Sequence, residues 1–126
     1  MKLLALDVGR KRTGVAFADT EQDIMFALST LAHATETELV DQLVPMITER
    51  SIDRVVLGLP LLPSGTEGSQ STFVRSIGTM LQAHHIPLAY LDERYTTPKH
   101  QQTDGDAAAA CELLSNFLSR SREKGV

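Results

Sequence analysis

Near its start the chain reads Lys2-Leu-Leu-Ala-Leu-Asp-Val8, a short and nearly continuous apolar run. It lacks the polar alternation of a half-buried strand, and its pattern is that of a strand covered on both faces. Such a strand must sit centrally in a sheet, so the rest of the chain has to supply neighbouring strands and helices for two layers. One ionisable residue, Asp7, interrupts the run. A carboxylate in an apolar central strand is costly unless it is paired or metal-bound, and that singles Asp7 out as functional.

The remaining elements follow from periodicity and punctuation. Gly9-Arg10-Lys11-Arg12 makes a glycine-initiated turn carrying three cations, and Thr13 to Asp19 resumes strand composition, so the two runs read as a hairpin. Ile24 to Leu31 is expected to add a third antiparallel strand, although Met, Ala and Leu would equally tolerate a helix. Thr35-Glu-Thr-Glu38 has the form of a capping box before apolar residues at helical spacing through Ile47. Pro45 falls inside that pattern and predicts a kink or an early end. Arg54 to Leu59 reads as a buried strand stopped by Pro60, and Leu61 to Gly68 as a loop. A helix with Phe73, Ile77, Met80 and Leu81 on one face follows, then a short strand, Leu88 to Leu91, ending in Asp92-Glu93-Arg94. Asp106 opens a last helix with Ala110, Leu113, Leu114, Phe117 and Leu118 as its apolar stripe. The order is β-β-β-α-β-α-β-α, which implies an α/β fold: a mixed five-stranded sheet, its later strands parallel and joined by right-handed crossovers.

Composition bounds the function classes. The chain has 126 residues, enough for one domain with a substantial core, and a single unit over 1–126 is expected, with 119–126 as a frayed tail. Its 16 acids against 12 bases give a net charge of −4, which excludes a generic polybasic coat for nucleic acid. A single cysteine, Cys111, allows neither an internal disulfide nor a cysteine-based zinc site, so any metal must be held by oxygen or histidine. Asp7 arrives too early for a signal peptide, and no apolar run approaches the ~20 residues that span a bilayer. A cytoplasmic protein with no membrane partner is the expectation.

Three acids stand at element boundaries: Asp7, Glu93 and Asp106. Ends of neighbouring elements can converge, and carboxylates brought together repel unless a cation lies between them. Mg²⁺ or Mn²⁺ suits such a site, since hard ions prefer carboxylate oxygen and keep positions for water and phosphate. Two such ions, roughly 3.5–4 Å apart, can serve both the attacking and leaving oxygens of a phosphodiester. Each acid also has an ordinary reading: Asp106 as a helix N-cap, Glu93 as a solvated strand-end acid beside Arg94. Adjacent extended residues point to opposite sides, so either Glu93 or Asp92, and not both, would face the site.

Four stretches then occur in order: Leu4-Ala-Leu-Asp-Val-Gly-Arg-Lys-Arg-Thr-Gly-Val-Ala16; Val56-Leu-Gly-Leu-Pro-Leu61 with Gly65-Thr-Glu-Gly68; Leu91-Asp-Glu-Arg-Tyr-Thr-Thr97; and Asp106 with Ala109-Ala110 and Leu113-Leu114. Together they resemble the YqgF/RuvX family, whose members are described as Holliday junction resolvases and as pre-16S ribosomal RNA nucleases. The resemblance covers nearly the whole chain. It implies a ribonuclease H-like fold and metal-dependent phosphodiester hydrolysis, with Asp7, Glu93 and Asp106 both catalytic and metal-holding. Asp7 would bridge two ions and Glu93 and Asp106 would each hold one. Maturation of the 5′ end of 16S ribosomal RNA, on ribosomal precursor particles, is the expected task, and resolution of branched DNA is the alternative.

Arg10, Lys11, Arg12, Arg75 and Arg94 are the candidate contacts to the nucleic-acid backbone, although each alone could be a solvated cation. His84, His85 and His100 share no ligand spacing with the acids and read as surface residues. The stretch Pro98 to Gly105 is shorter than the corresponding segment of family members, which favours a second reading: a catalytically weak nucleic-acid-binding or ribosome-maturation factor. A nucleotide phosphotransferase of the actin-like class is a third, since Asp7-Val-Gly9 with Thr13-Gly14 resembles its phosphate loop, but those enzymes pair two domains. Symmetric junction cleavage would favour a homodimer, while RNA trimming requires only a monomer.

Overall fold

Backbone pairing builds a mixed sheet of six strands among the residues described by the computed structural model, 1–94 and 105–123, with side chains described for 1–92 and 108–120. In chain order the elements are β1 (Lys2–Val8), β2 (Arg12–Asp19), β3 (Ile24–Ala27), β4 (Leu31–Ala32), α1 (Glu36–Glu49), β5 (Arg54–Leu61), α2 (Ser69–Ala83), β6 (Leu88–Arg94) and α3 (Gly105–Glu123). The strands lie in the order β3-β2-β1-β5-β6, with β4 also paired to β2. β1 and β2 are antiparallel, whereas β1 with β5 and β5 with β6 are parallel. The first apolar run is therefore the central strand, as its sequence requires.

The single third strand expected over Ile24–Leu31 is instead two. β3 pairs with Ala16 to Asp19 and β4 with Arg12 and Thr13. Between these pairings the partner strand has Gly14 and Val15, while this segment has Leu28, Ser29 and Thr30. One extra residue cannot be accommodated by a regular ladder, and the strand breaks as a bulge does. Five expected strands thus become six without a change of topology.

Local chemistry explains the helix that follows. Thr35 caps α1, accepting a 3.1 Å hydrogen bond from the Glu38 amide, and the Glu38 carboxylate accepts one from the Ala34 amide. The helix does not end early at Pro45 but continues to Glu49. Its buried face of Leu39, Val40, Leu43 and Ile47 holds it against the sheet, and packing outweighs the lost backbone donor. At the β1–β2 turn the limiting residue is Gly9, where a Cβ would stand 2.4 Å from the Arg12 carbonyl oxygen. Glycine lets that turn close.

The two faces of the sheet carry separate cores. Leu4, Leu6, Val15, Phe17, Val55, Leu57 and Leu59 pack with α1 and α2 on one face. Leu3, Ala5, Ala16, Ala18, Val56 and Leu91 pack with Ala110, Leu113 and Leu114 of α3 on the other. α3 is helical through Glu123, into the stretch expected to fray, and 124–126 lie outside the described residues. Among the described residues no helix is long and apolar enough to cross a membrane.

Candidate nucleic-acid and metal site

Asp7 occupies the next-to-last position of β1, opposite Gly14 of β2, and is half-buried. Strand alternation puts it on the face of Leu3 and Ala5, beneath α3. Leu6 is level with Leu57 on β5, so Asp7 stands level with Gly58, which in turn pairs with Leu91 on β6. Leu91 belongs to the α3 face. Two positions further along β6, Glu93 pairs with Pro60 and its register position has the parity of Leu91 and Asp7. Asp92 pairs with Leu59, which packs on the opposite face. Of the two adjacent acids, then, the register position of Glu93 is the one on the Asp7 face. The side chains of Glu93, Arg94 and Asp106 lie outside the described set.

The direction of α3 locates the third acid. Asp19, Ser115 and Asn116 line one cavity of about 570 Å³, and Asp19 pairs with Lys2 at the start of β1. The later part of α3 therefore lies beside the end of β2, level with the beginning of β1, and because Ala110, Leu113 and Leu114 pack on the sheet the helix runs back from there toward the end of β1 that carries Asp7. Asp106 precedes Asn116 by ten residues, about 15 Å of helix. Asp7 follows Lys2 by five, about 16.5 Å of strand. The backbone of Asp106 thus comes to roughly the height of Asp7.

Arg10, Lys11 and Arg12 are exposed on the turn that follows Asp7. Arg10 makes a long 3.5 Å hydrogen bond to the Ser69 carbonyl and lies 5.1 Å from the centre of the Phe73 ring. Gln70 donates to the Val8 carbonyl at 2.9 Å, so the turn is tied to the start of α2. Arg75 is engaged differently. Its guanidinium donates two 2.7 Å hydrogen bonds to the Glu67 carboxylate and lies over the Tyr90 ring, 5.1 Å from its centre. Those hydrogen bonds hold the Glu67 carboxyl below its ordinary range. Tyr90 itself packs against the core. Tyr95, His100 and the short segment from Pro98 fall outside the described residues, while His84 and His85 are exposed.

Sequence reasoning passed over His33. It is buried, with 6% of its surface exposed, and its Nε2 lies 2.9 Å from the hydroxyl of fully buried Thr13. Its backbone N–H donates to the Lys11 carbonyl at 2.9 Å, and its Nδ1 is buried without a hydrogen-bond partner. The available signal was a lone imidazole directly after the strand residues Leu31 and Ala32, which pair beside the cationic turn. Burial lowers its pKa from 6.5, against an opposing pull from the Glu38 charge. A depressed folded-state pKa means that the unfolded chain binds the proton first. The stabilisation is complete above about pH 6.5 and is lost as pH falls from there through the lowered value. Thermal unfolding at pH 7.5, 6.5 and 5.5 should show the wild-type melting temperature falling more steeply than that of His33→Gln.

An all-carboxylate donor set of Asp7, Glu93 and Asp106 fits a hard divalent cation. Among the described residues no three His, Cys, Asp or Glu side chains form a metal-binding group, and of these three donors only the Asp7 side chain is described. Cys111 on α3 is half-buried, and burial pushes its thiol pKa up, away from the thiolate that metal ligation requires.

Comparison with known proteins gives consistent results. A family described as "RuvX: Holliday junction resolvase" matches residues 1–120. The chain is 40% identical to a Chloroflexus aurantiacus protein named "Putative pre-16S rRNA nuclease", over 95% of this chain and 88% of that one. A protein of the same name from Roseiflexus sp. is 28% identical, over 96% of both chains. Among solved structures, RuvC of T. thermophilus in complex with a Holliday junction substrate aligns over 96% of each chain with a TM-score of 0.62 at 8% identity. The fowlpox virus Holliday junction resolvase aligns over 96% of this chain and 99% of its own, with a TM-score of 0.56 at 12% identity. Likeness at such low identity establishes the fold, which is ribonuclease H-like.

Proposed function

This chain belongs to the RuvX (YqgF) family, and from that membership we propose that it is a divalent-metal-dependent nuclease acting on structured nucleic acid in maturation of the 5′ end of 16S ribosomal RNA. The observation that carries the reading is the register. Asp7 and the position of Glu93 share one face of the sheet at the carboxyl ends of adjacent parallel ladders, and the helix bearing Asp106 starts over that face. Ribosomal RNA is preferred because relatives at 28–40% identity, covered over most of their length, carry that name, whereas the likeness to RuvC speaks for the fold. The family description favours a second reading, cleavage of branched DNA.

In this proposal Asp7, Glu93 and Asp106 hold Mg²⁺ or Mn²⁺. A bound ion of that kind lowers the pKa of water and neutralises charge developing on a phosphodiester. Around it the protein positions substrate: Arg10, Lys11, Arg12 and Arg94 contact backbone phosphates, which sets register without reading sequence. Arg75, matched to Glu67, extends that patch only when a phosphate displaces the carboxylate. The chain acts as one catalytic domain over 1–126, in the cytoplasm on ribosomal precursor particles, as a monomer or a homodimer.

The test is a cleavage assay on a precursor 16S 5′ fragment and on a four-way DNA junction, with Mg²⁺, Mn²⁺ or chelator. Cleavage of the RNA with either metal and none with chelator is expected. Cleavage of the junction alone would transfer the assignment to branched DNA, and tight binding without cleavage of either substrate would make the protein a maturation factor.

A further inference from the structure

The turn that carries Arg10, Lys11 and Arg12 is short and its side chains are exposed, so their direction depends on what anchors the turn from beneath. On one side the anchors are Gln70 and the long bond from Arg10 to Ser69. On the other side His33 is the anchor. Its main chain holds the Lys11 carbonyl and its ring meets the buried Thr13 hydroxyl, one residue past Arg12. Thr13 is fully buried, and a buried hydroxyl requires a partner. The imidazole therefore serves that hydroxyl while its own Nδ1 stays buried without a hydrogen-bond partner. The charge that acts on the imidazole is Glu38 on α1, while Lys11 and Arg12 adjoin His33 through the backbone pairing of β2 with β4.

We infer that His33 is a positioning residue: through Thr13 and Lys11 it fixes how the cationic turn presents Arg10, Lys11 and Arg12 to a nucleic-acid backbone. This rests on the proposed role of that turn in phosphate contact. His33 touches no substrate, so its removal weakens binding and leaves the chemical step unchanged.

The experiment measures KM and kcat at pH 7.5 and fixed salt on the precursor 16S 5′ fragment, for wild type, His33→Leu, Thr13→Val, the double variant, His33→Gln and Lys11→Ala. His33→Leu and Thr13→Val should each raise KM roughly five- to tenfold with kcat within about twofold, the signature of lost ground-state binding. The double variant should be no worse than either single one, since both remove one contact. His33→Gln, whose amide can reach the Thr13 hydroxyl, should recover most of the affinity. Should His33→Leu fail to fold, Thr13→Val carries the test, because it removes one hydroxyl and keeps the shape. Unchanged KM in Thr13→Val and His33→Leu, with KM raised in Lys11→Ala, overturns the positioning role and leaves the turn as a phosphate contact. Unchanged KM in Lys11→Ala as well overturns both.

Discussion

Asp7→Asn is expected to abolish cleavage while the protein stays folded. The substitution keeps the side-chain volume and leaves an amide able to hydrogen-bond at a half-buried strand end, so the melting temperature should move by only a few degrees. What it removes is one negative charge, the property that a hard divalent cation requires of its ligand. Losing several kcal/mol of charge stabilisation at a reacting phosphate, at about 1.36 kcal/mol per decade, corresponds to roughly a thousandfold or more in single-turnover rate. Asp92→Asn is the matched control. Its register position pairs with Leu59 on the other face of the sheet, and its rate should stay within about twofold of wild type. Cleavage that survives in Asp7→Asn, or is lost in Asp92→Asn, would sink the assignment of this face.

The contrast between those two acids shows where sequence stops informing. Alternation along Leu91-Asp-Glu-Arg94 requires Asp92 and Glu93 to differ in direction, but it cannot say which of them shares a face with a residue on another strand. That depends on stagger between β1, β5 and β6, a non-local quantity. The central strand, the α1 cap and the apolar stripes of all three helices were legible, because each is written in spacing within one segment. The break between β3 and β4 was not, since it arises from counting Leu28 to Thr30 against Gly14 and Val15 across a pairing. Two site features were likewise hidden by distance along the chain. Arg75, a candidate phosphate contact by sequence, is chelated by Glu67 eight residues earlier, and His33 meets a hydroxyl, that of Thr13, twenty residues away.

Leu114→Ala should be the most damaging single change in the core beneath α3. Leu114 is fully buried in the layer where α3 meets the sheet, and three of the six buried sheet residues there, Ala5, Ala16 and Ala18, are alanines. Leucines of the helix therefore fill the space above those alanines. Alanines on a rigid sheet cannot expand into the space a lost leucine leaves, so the cavity persists and the cost falls in the upper part of the usual range, about 3–5 kcal/mol. For a domain of this size that is a fall of roughly 10–20 °C in melting temperature. The consequence for function follows from what α3 carries. Loosening the helix frees its first turn, with Asp106, from the height of Asp7, so the variant should need more Mg²⁺ or Mn²⁺ for half-maximal cleavage at 20 °C, where it is still folded. Ligand linkage supplies the cross-check: metal at about a hundred times its Kd stabilises the folded state by about 2.7 kcal/mol, and melts with and without Mn²⁺ should show a smaller metal-induced rise in Leu114→Ala than in wild type. An equal rise in both proteins would mean that α3 stabilises the sheet without positioning a ligand, and Asp106 would then be an ordinary first-turn acid favoured by the helix dipole.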